Sequence, residues 1–329
     1  MKILIIGAGG MVGRKLTTRL LELGSIGHHR IEALSLVDVL EPETRGDDAI
    51  DVQASAADLS DPGVAENLIA ARPDLIFHLA AIVSGEAESD FEKGYRINLD
   101  GTRYLFEAIR KAGQQERYCP RVVFTSSIAV FGAPFPDKIS DEFFTTPRTS
   151  YGTQKAICEL LLSDYSRRGF FDGVGIRLPT ICIRPGAPNK AASGFFSSIL
   201  REPLVGEQAV LPVDTSLRHW HASPRAAVGF LLHAAQMDTA TLGARRNLNM
   251  PGLSATVGEQ IEALRRVAGD SAVRLIRHEP DPQVIEMVDG WAKDFDATRA
   301  MALGFAAEAS FDEIIGIHIE DELGGELPK

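Results

Sequence analysis

The side chains in this sequence best suited to move a proton are Tyr151 and Lys155. They lie four residues apart, and a helix would therefore place them on one face. A free tyrosine hydroxyl has a pKa of about 10, too high for an effective base at neutral pH. A lysine ammonium beside it favours the phenolate and lowers that pKa. The pair predicts general-base chemistry on an alcohol, with an ordinary surface pair as the alternative interpretation.

A glycine-rich run near the N-terminus has the composition of a phosphate-binding turn. The run Gly7-Ala8-Gly9-Gly10-Met11-Val12-Gly13 directly follows an apolar stretch over 2–6. Glycine at positions 7, 10 and 13 permits a tight turn, close approach of a pyrophosphate and close packing of a helix on a strand. A helix beginning here would direct backbone N–H groups at the phosphates. The run predicts a dinucleotide site.

Two acidic positions bear on which dinucleotide is bound. Asp38 lies in the apolar run 33–39, where a carboxylate can accept hydrogen bonds from both adenosine ribose hydroxyls. A carboxylate there repels a 2′-phosphate, and no arginine follows immediately, so NAD is expected rather than NADP. Asp58 and Leu59 follow a third, shorter strand and are candidates to contact the adenine, with a helix N-cap as the alternative for Asp58.

Composition excludes several classes of protein. Lys and Arg total 34 and Asp and Glu total 45, which gives the 329-residue chain a net charge of −11. No nucleic-acid partner is expected, because phosphate neutralisation needs a basic patch. The three cysteines show no Cys-x-x-Cys spacing, so neither a disulfide framework nor a zinc site is predicted and a reducing compartment fits best. No apolar run approaches the roughly 20 residues of a membrane span, and no signal peptide is evident. We expect a cytoplasmic protein without membrane contact.

The positions of apolar runs predict the fold class. Runs of strand character lie at 2–6, 33–39, 74–79, 121–126 and 173–182. Amphipathic helical patterns separate them, and near-continuous apolar strands of this kind form a parallel sheet covered on both faces. We predict an α/β fold with a doubly wound Rossmann sheet over 1–182. A smaller, mixed substrate domain is predicted over 183–329, with some of its segments returning to the first domain.

These motifs together resemble the extended short-chain dehydrogenase/reductase superfamily. Its hallmarks are GxxGxxG, an acidic end of the second strand, a Leu-Ala-Ala turn, a strand-end Ser or Thr, and YxxxK; here the turn is Leu79-Ala80-Ala81 and the strand ends in Ser126-Ser127. The resemblance covers nearly the whole chain. The sequence departs from the nucleotide-sugar members in the run 177–180 (RLPT), where those enzymes usually carry asparagine, and in Phe131, where tyrosine is common.

The resemblance implies NAD as cofactor and Ser127, Tyr151 and Lys155 as catalytic residues. Ser127 lies 24 residues before Tyr151, the superfamily spacing for the hydroxyl that binds the reacting oxygen, and Ser126 is the alternative if the register is off by one. Further residues expected at the cofactor are Gly7, Gly10, Met11, Val12, Gly13, Asp38, Asp58, Leu59, Leu79, Ala80, Ala81, Asn98, Ser126, Tyr151, Lys155 and Pro179. Superfamily members often dimerise through two helices, so a homodimer through the helices at 94–112 and 151–168 is expected.

Substrate choice is expected to come from the second domain and the loops above the sheet. The runs NKAASGFF (189–196) and RHWHASPRAAVGF (218–230) are similar to those of an NAD-dependent branch of the superfamily that oxidises a four-carbon sugar acid at C2. A guanidinium can fork onto a carboxylate, which favours Arg218 as the anchor. The residues predicted to bind substrate are Ser84, Ser127, Tyr151, Thr180, Asn189, Ser193 and Arg218. His219 and His221 lack an evident third ligand, so no metal is predicted.

Three alternative functions stay open at this point. A nucleotide-sugar 4-epimerase or dehydratase would retain its NAD, but no base-stacking or diphosphate-binding region is evident in the second domain. An L-threonine dehydrogenase-like enzyme would need an acidic partner for the amino group, and Glu86 is the candidate. A non-catalytic NAD sensor would need only the glycine-rich run, and the Tyr151–Lys155 pair argues against it.

Overall fold

The computed structural model describes residues 1–44, 46, 49–186 and 193–327. The chain forms two compact units. The first comprises Met1–Val130, Pro147–Arg177 and Val228–Leu248, and the second comprises Phe131–Thr146, Leu178–Ala227 and Asn249–Lys329. Segments from the second half of the chain thus contribute to the first unit.

The strands and helices of the described residues follow in chain order. The strands are β1 Lys2–Ile6, β2 Ser25–Ile26, β3 His29–Arg30, β4 Ala33–Asp38, β5 Asp51–Ala56, β6 Leu75–His78, β7 Arg121–Ser127, β8 Asp172–Leu178, β9 Thr180–Ile181, β10 Ala209–Leu211, β11 Arg218–Ala222, β12 Asn247–Asn249, β13 Leu253–Thr256 and β14 Ile276–His278. The α-helices are α1 Met11–Leu23, α2 Val64–Ala70, α3 Ser84–Ser89, α4 Phe91–Gly94, α5 Gly101–Gln115, α6 Ser150–Arg167, α7 Gly194–Leu204, α8 Pro224–Gln236, α9 Val257–Val273, α10 Pro282–Asp289, α11 Thr298–Ala302 and α12 Phe311–Glu322. A π-helix spans Tyr95–Asp100, and 3₁₀ turns span Ile128–Val130 and Thr239–Leu242.

The first unit is built on a seven-stranded sheet in the order β12-β8-β7-β6-β1-β4-β5. β1 pairs in parallel with β4 and β6, β4 with β5, and β6 with β7. α1 lies between β1 and β4, and α3 to α5 lie between β6 and β7, whereas the described residues between β4 and β5 form no helix. The doubly wound Rossmann sheet expected from the apolar runs is therefore confirmed.

Register brings the functional segments of this unit to one edge of the sheet. Ile6 at the end of β1 is level with Val37 on β4 and with His78 on β6, and His78 is level with Phe124 on β7. The residues that follow each strand therefore emerge side by side. The carboxyl edge of an open α/β sheet is where such folds bind ligands.

A buried core on one side of this sheet fixes its helices. Phe106, Phe124 and Phe171 are fully buried in one cluster, and the Phe106 and Phe171 rings lie 4.8 Å apart in a tilted pair. Aromatic side chains of this size dominate core energetics. The core holds the strand ends in one plane and so defines the position of the loops above them.

The second unit contains two smaller sheets. One has the order β13-β11-β9, with β11 antiparallel to β13 and parallel to β9; in the other, β10 and β14 are parallel. The buried side chains that join these strands to α7, α9 and α12 include Phe196, Ile199, Leu264, Phe311 and Ile315. The second unit also takes in Phe131–Thr146, and a substrate domain over 183–329 stays a prediction.

The run 173–182 is two strands rather than one. β8 ends at Leu178 and β9 begins at Thr180, with Pro179 between them. Proline has no N–H to donate to a strand ladder and so interrupts it. The predicted continuous strand is wrong at this point.

No helix among the described residues has the length and apolar character needed to cross a membrane.

Candidate active site

The glycine-rich loop connects β1 to α1. Gly7 has a φ of +93°, which favours glycine, and its N–H donates to the Val37 carbonyl at 2.8 Å. A Cβ on Gly13 would meet the Gly7 carbonyl oxygen and lie 2.7 Å from Ala8 Cα. The loop therefore folds tightly onto the start of α1 only because position 13 has no side chain.

The same geometry predicts the effect of Gly13→Ala. The added methyl would press on backbone atoms, so α1 must shift away from the loop. We expect the dissociation constant for NAD, measured by isothermal titration calorimetry, to rise at least about tenfold, which corresponds to roughly 1.4 kcal/mol. Gly229 on α8 has open space at its Cβ position, so Gly229→Ala is the matched control. Unchanged NAD binding by Gly13→Ala would contradict this role of the loop.

Asp38 is held in place at the end of β4. Its Oδ2 accepts a hydrogen bond from the Gly9 N–H at 2.9 Å, and its Oδ1 accepts one from the Val39 N–H at 2.7 Å. The carboxylate is half-buried and is tied to the glycine-rich loop itself. Asp38 therefore lies beside the glycine-rich loop, and its contact with the adenosine ribose stays a prediction.

The arrangement of this loop suits an adenine dinucleotide. Gly10 caps α1 without any side-chain hydrogen bond, and the first turn of α1 carries no acidic residue. The positive end of a helix with no capping anion of its own is a ready site for phosphate. A Cβ on Gly7 would lie 2.6 Å from the Ala80 nitrogen, so the loop also packs closely on the Leu79-Ala80-Ala81 turn. Met11 and Val12 begin α1 and are half-buried.

Asp58 is engaged by neighbouring side chains and Leu59 is buried. Asp58 Oδ1 accepts from the Ser60 N–H at 2.9 Å, and Oδ2 accepts from the Arg96 guanidinium at 2.9 Å. Burial opposes ionisation of Asp58, but the hydrogen bonds from Ser60 and Arg96 outweigh it and lower the pKa of this carboxyl. One carboxylate oxygen thus stabilises the local turn and the other ties this turn to the π-helix; a contact with adenine stays a prediction.

Tyr151 and Lys155 lie in the first turns of α6. The Thr149 side chain caps this helix by accepting from the Gly152 N–H at 3.1 Å. A Cβ on Gly152 would collide with the Ala129 carbonyl, so α6 approaches the segment after β7 only because Gly152 lacks a side chain. Since Ala129 lies two residues beyond Ser127, this close approach brings the predicted catalytic helix to the strand end that carries Ser127.

Lys155 is almost fully buried. Its Nζ donates to the Thr125 carbonyl at 2.8 Å and lies 5.9 Å from the centre of the Tyr151 ring. Burial lowers the pKa of the ammonium to about 8, an effect opposed by Cys158 and Glu159. Because burial raises the pKa of the Cys158 thiol to about 11, Glu159 supplies the opposing charge at neutral pH.

The two serines at the end of β7 have different surroundings. Ser126 is buried and its hydroxyl donates to Glu159 Oε1 at 2.5 Å. Ser127 is half-buried, and its Oγ accepts from the Ala129 N–H at 3.1 Å, which leaves its hydroxyl proton available. The geometry thus supports Ser127 over Ser126 for the contact with a reacting oxygen.

Glu159 is a residue of this region that sequence reasoning missed. It is buried and accepts two bonds from the Arg177 guanidinium, from Nε at 2.9 Å and from a terminal nitrogen at 2.7 Å. Together with Ser126, this pair ties α6 to the ends of β7 and β8. The available signal was its spacing, since Glu159 lies four residues after Lys155 and eight after Tyr151 on the same helix.

Asn98 lies in the π-helix, a distortion often found at functional sites. Its Oδ1 accepts from the Ile82 N–H at 2.9 Å, and its Nδ2 donates to Gln154 Oε1 at 2.7 Å. Asn98 is buried and connects the loop after β6 to α6. The contact of Asn98 with the cofactor stays a prediction.

The loop after β6 leads into α3, which begins at Ser84. Ser84 is half-buried. Glu86, the acid considered for an amino-group partner, is paired with Lys93 at 2.6 Å. That ion pair reduces the availability of Glu86 to a cationic substrate.

The predicted substrate residues of the second unit have varied surroundings. Thr180 Oγ1 is 2.7 Å from His219 Nε2, and Ser193 Oγ accepts from Arg184 at 3.1 Å. Pro179, predicted at the cofactor, is buried. Asn189 lies outside the described residues. Within the described ranges, no group of three His, Cys, Asp or Glu side chains could hold a metal ion.

Arg218 differs most from its expected environment. Its guanidinium lies 3.2 Å from a Glu259 carboxylate oxygen and donates to the Ser254 carbonyl at 2.8 Å. The pair is partly exposed, so its contribution to stability is small. A carboxylate substrate would have to share this guanidinium with Glu259, and the role of Arg218 as anchor stays a prediction.

The sequence is similar to a known protein family and to named relatives. Residues 3–241 match the family described as NAD dependent epimerase/dehydratase. A protein of Cupriavidus necator named D-erythronate dehydrogenase is 47% identical over 98% of each chain. One of the same name from Haemophilus influenzae is 42% identical over 98% of this chain and 100% of its own.

Solved structures add two further likenesses. A crystal structure described as the nucleoside-diphosphate-sugar epimerase from Agrobacterium tumefaciens is 71% identical, with a TM-score of 0.98, covering 100% of this chain and 96% of that one. A GalE-like L-threonine dehydrogenase from Cupriavidus necator has a TM-score of 0.82 at 21% identity, covering 98% of this chain and 99% of that one. At that identity, the second likeness concerns the fold alone.

Proposed function

The chain belongs to the NAD dependent epimerase/dehydratase family, and we propose that it oxidises the C2 hydroxyl of a small sugar acid, with D-erythronate as substrate and 2-oxo-D-erythronate as product. The observation that carries this proposal is the Tyr151–Lys155 pair beside the β7 end. The names of the two relatives at 47% and 42% identity support the choice of substrate.

In the proposed reaction, Tyr151 is the general base. Its phenolate oxygen takes the proton of the C2 hydroxyl, and the Ser127 hydroxyl donates to the same substrate oxygen. The Lys155 ammonium stabilises the phenolate while the Thr125 carbonyl holds its Nζ in place at 2.8 Å. Bound NAD supplies the acceptor for the C2 hydrogen as a hydride. The proton then leaves Tyr151 for solvent, so the alcohol loses one hydride to NAD and one proton to solvent.

The residues that would hold NAD are those of the glycine-rich loop, together with Asp38 and Lys155. The start of α1 suits the pyrophosphate, and Asp38 suits the adenosine ribose. The remaining N–H groups of Lys155 are suited to the nicotinamide ribose. Leu79, Ala80 and Ala81 would line this cleft, because their turn packs on Gly7.

Substrate contacts are proposed for Ser84, Ser127, Tyr151, Thr180, Ser193 and Arg218. A homodimer through the helices at 94–112 and 151–168, and a cytoplasmic location, are proposed on the superfamily resemblance and on cysteine usage. The three cysteines of the chain are free, with Cys119 exposed and the other two buried.

A nucleotide-sugar epimerase is the second candidate, because the 71% identical Agrobacterium tumefaciens protein is described as one. Against it stands the run 177–180 (RLPT), which lacks the asparagine usual in nucleotide-sugar enzymes. Threonine oxidation is less well supported, because the likeness to threonine dehydrogenases is at 21% identity and Glu86 is paired with Lys93.

The test is a side-by-side assay of NADH formation with D-erythronate, L-threonate, L-threonine and a UDP-hexose. The proposal expects net NADH with D-erythronate and the highest kcat/KM for it among the four. An epimerase would convert the UDP-hexose without accumulating NADH. Oxidation of L-threonine in preference to D-erythronate would replace the proposed substrate class.

A further inference from the structure

His219 holds a directed chain of hydrogen bonds in the second unit. Its Nδ1 lies 2.9 Å from the Ala292 carbonyl oxygen, and its Nε2 lies 2.7 Å from Thr180 Oγ1. A carbonyl oxygen can only accept, so Nδ1 carries the ring proton and Nε2 of the neutral ring is an acceptor. The Thr180 hydroxyl must therefore donate its proton to His219.

The surroundings of His219 keep this direction fixed. The ring is 3% exposed, stacks on Phe196 with centres 5.3 Å apart, and lies 5.1 Å from the Trp291 ring. Packing against these two rings restricts reorientation of the imidazole. Burial lowers the pKa of the imidazole to about 4, so it stays neutral at physiological pH and accepts the threonine proton.

We propose that His219 is a positioning residue that makes Thr180 a pure hydrogen-bond acceptor, so that the substrate must present a hydroxyl to it. Thr180 is half-buried and follows the end of β8 by two residues. With its only proton directed at Nε2, its oxygen offers lone pairs alone to any ligand. A substrate carboxylate or carbonyl oxygen would meet these lone pairs and be repelled, so the sugar acid would place a non-reacting hydroxyl here.

This inference rests on the proposed function, and it identifies Thr180 as a residue that determines substrate specificity. The donor that meets Thr180 has a second possible source, the carboxamide N–H of the nicotinamide. If a substrate hydroxyl contacts Thr180, the loss of kcat/KM on replacing Thr180 depends on which substrate is used. If the carboxamide N–H contacts Thr180, the replacement changes the KM for NAD equally with every substrate. The two sources are therefore separable by steady-state kinetics.

The test compares D-erythronate with its 3-deoxy and 4-deoxy analogues in the wild type and in Thr180→Val. We expect Thr180→Val to lower kcat/KM for D-erythronate roughly tenfold, mainly through KM, and to leave kcat/KM for one of the two analogues unchanged. Thr180→Ser keeps the hydroxyl and should keep the discrimination. An equal loss with all three substrates, or a change confined to the KM for NAD, would overturn the proposal.

The role of His219 is tested by His219→Phe and His219→Gln. Phenylalanine removes the acceptor, so the threonine hydroxyl can donate to a substrate oxygen as well as accept from a substrate hydroxyl. The preference for D-erythronate over the analogue that Thr180→Val leaves unaffected should therefore fall, by less than it does in Thr180→Val. Glutamine can donate to Ala292 and accept from Thr180, and should restore the preference. Wild-type discrimination in His219→Phe would overturn the proposal. Rescue by glutamine but not by phenylalanine distinguishes a positioning role of His219 from a merely structural one.

Nitrogen-15 shifts of His219 in the wild type supply a result that does not depend on turnover. The expected state is a neutral ring with its proton on Nδ1; a proton on Nε2, or a charged ring, would overturn the inference. If His219 has the expected protonation state but D-erythronate is not oxidised, the result contradicts the proposed function and not the assignment of the His219 proton.

Discussion

Replacement of Tyr151 by phenylalanine is expected to lower kcat by about 10²–10⁴-fold while NAD affinity stays unchanged. Phenylalanine keeps the ring beside Lys155 but removes the oxygen that takes the substrate proton. The glycine-rich loop and Asp38 hold the cofactor independently of this hydroxyl. Stopped-flow kinetics of NADH formation would give kcat, and titration calorimetry would give the affinity for NAD.

Tyr104→Phe is the matched control, because Tyr104 is a half-buried tyrosine on α5, beside the guanidinium of Arg103. It should leave kcat unchanged. Activity of Tyr151→Phe within a few fold of the wild type would show that another group is the base.

The second large effect is expected from Glu159→Gln. The substitution leaves the Arg177 guanidinium charged and buried with its partner neutralised, and removing one member of such a pair lowers the free energy of unfolding by about 3–5 kcal/mol. It also removes the charge that opposes the effect of burial on Lys155, so the pKa of that ammonium should fall below about 8. Less of the charged lysine would then be present at neutral pH to stabilise the phenolate.

Urea unfolding would give the stability change, and kcat measured below the unfolding temperature would give the catalytic one. Asp164→Asn on the same helix is the control, because the Asp164–Arg167 pair is mostly exposed and should contribute less than about 1 kcal/mol. If both variants were equally stable, the buried pair would not hold α6 and the strand ends as inferred.

The sequence was sufficient to predict the sheet that forms the site. The runs at 2–6, 33–39 and 74–79 lie within one or two residues of β1, β4 and β6, because strands buried on both faces are nearly continuous apolar runs. β5 could not be delimited in this way, since Asp51–Ala56 alternates between exposed and half-buried residues and carries little apolar character. NAD binding followed from the loop and Asp38, and the family match confirms it.

The partners of individual polar side chains could not be predicted. Glu159 and Arg177 are 18 residues apart and Arg218 and Glu259 are 41 apart, so only the fold brings them together. Local spacing identifies which residues share a helix face, but it contains no information on pairing across elements. For this reason the sequence predicts Arg218 as an anchor for a carboxylate but not its pairing with Glu259.

The central claim is that this protein removes hydrogen from C2 of a sugar acid and releases it as NADH. D-erythronate carrying deuterium at C2 tests this most directly, with mass spectrometry of the released cofactor and of the acid. We expect one deuterium in NADH for each molecule of 2-oxo acid formed. Deuterium that remains on the acid while NADH accumulates, or no NADH at all while a sugar nucleotide is converted, would contradict it.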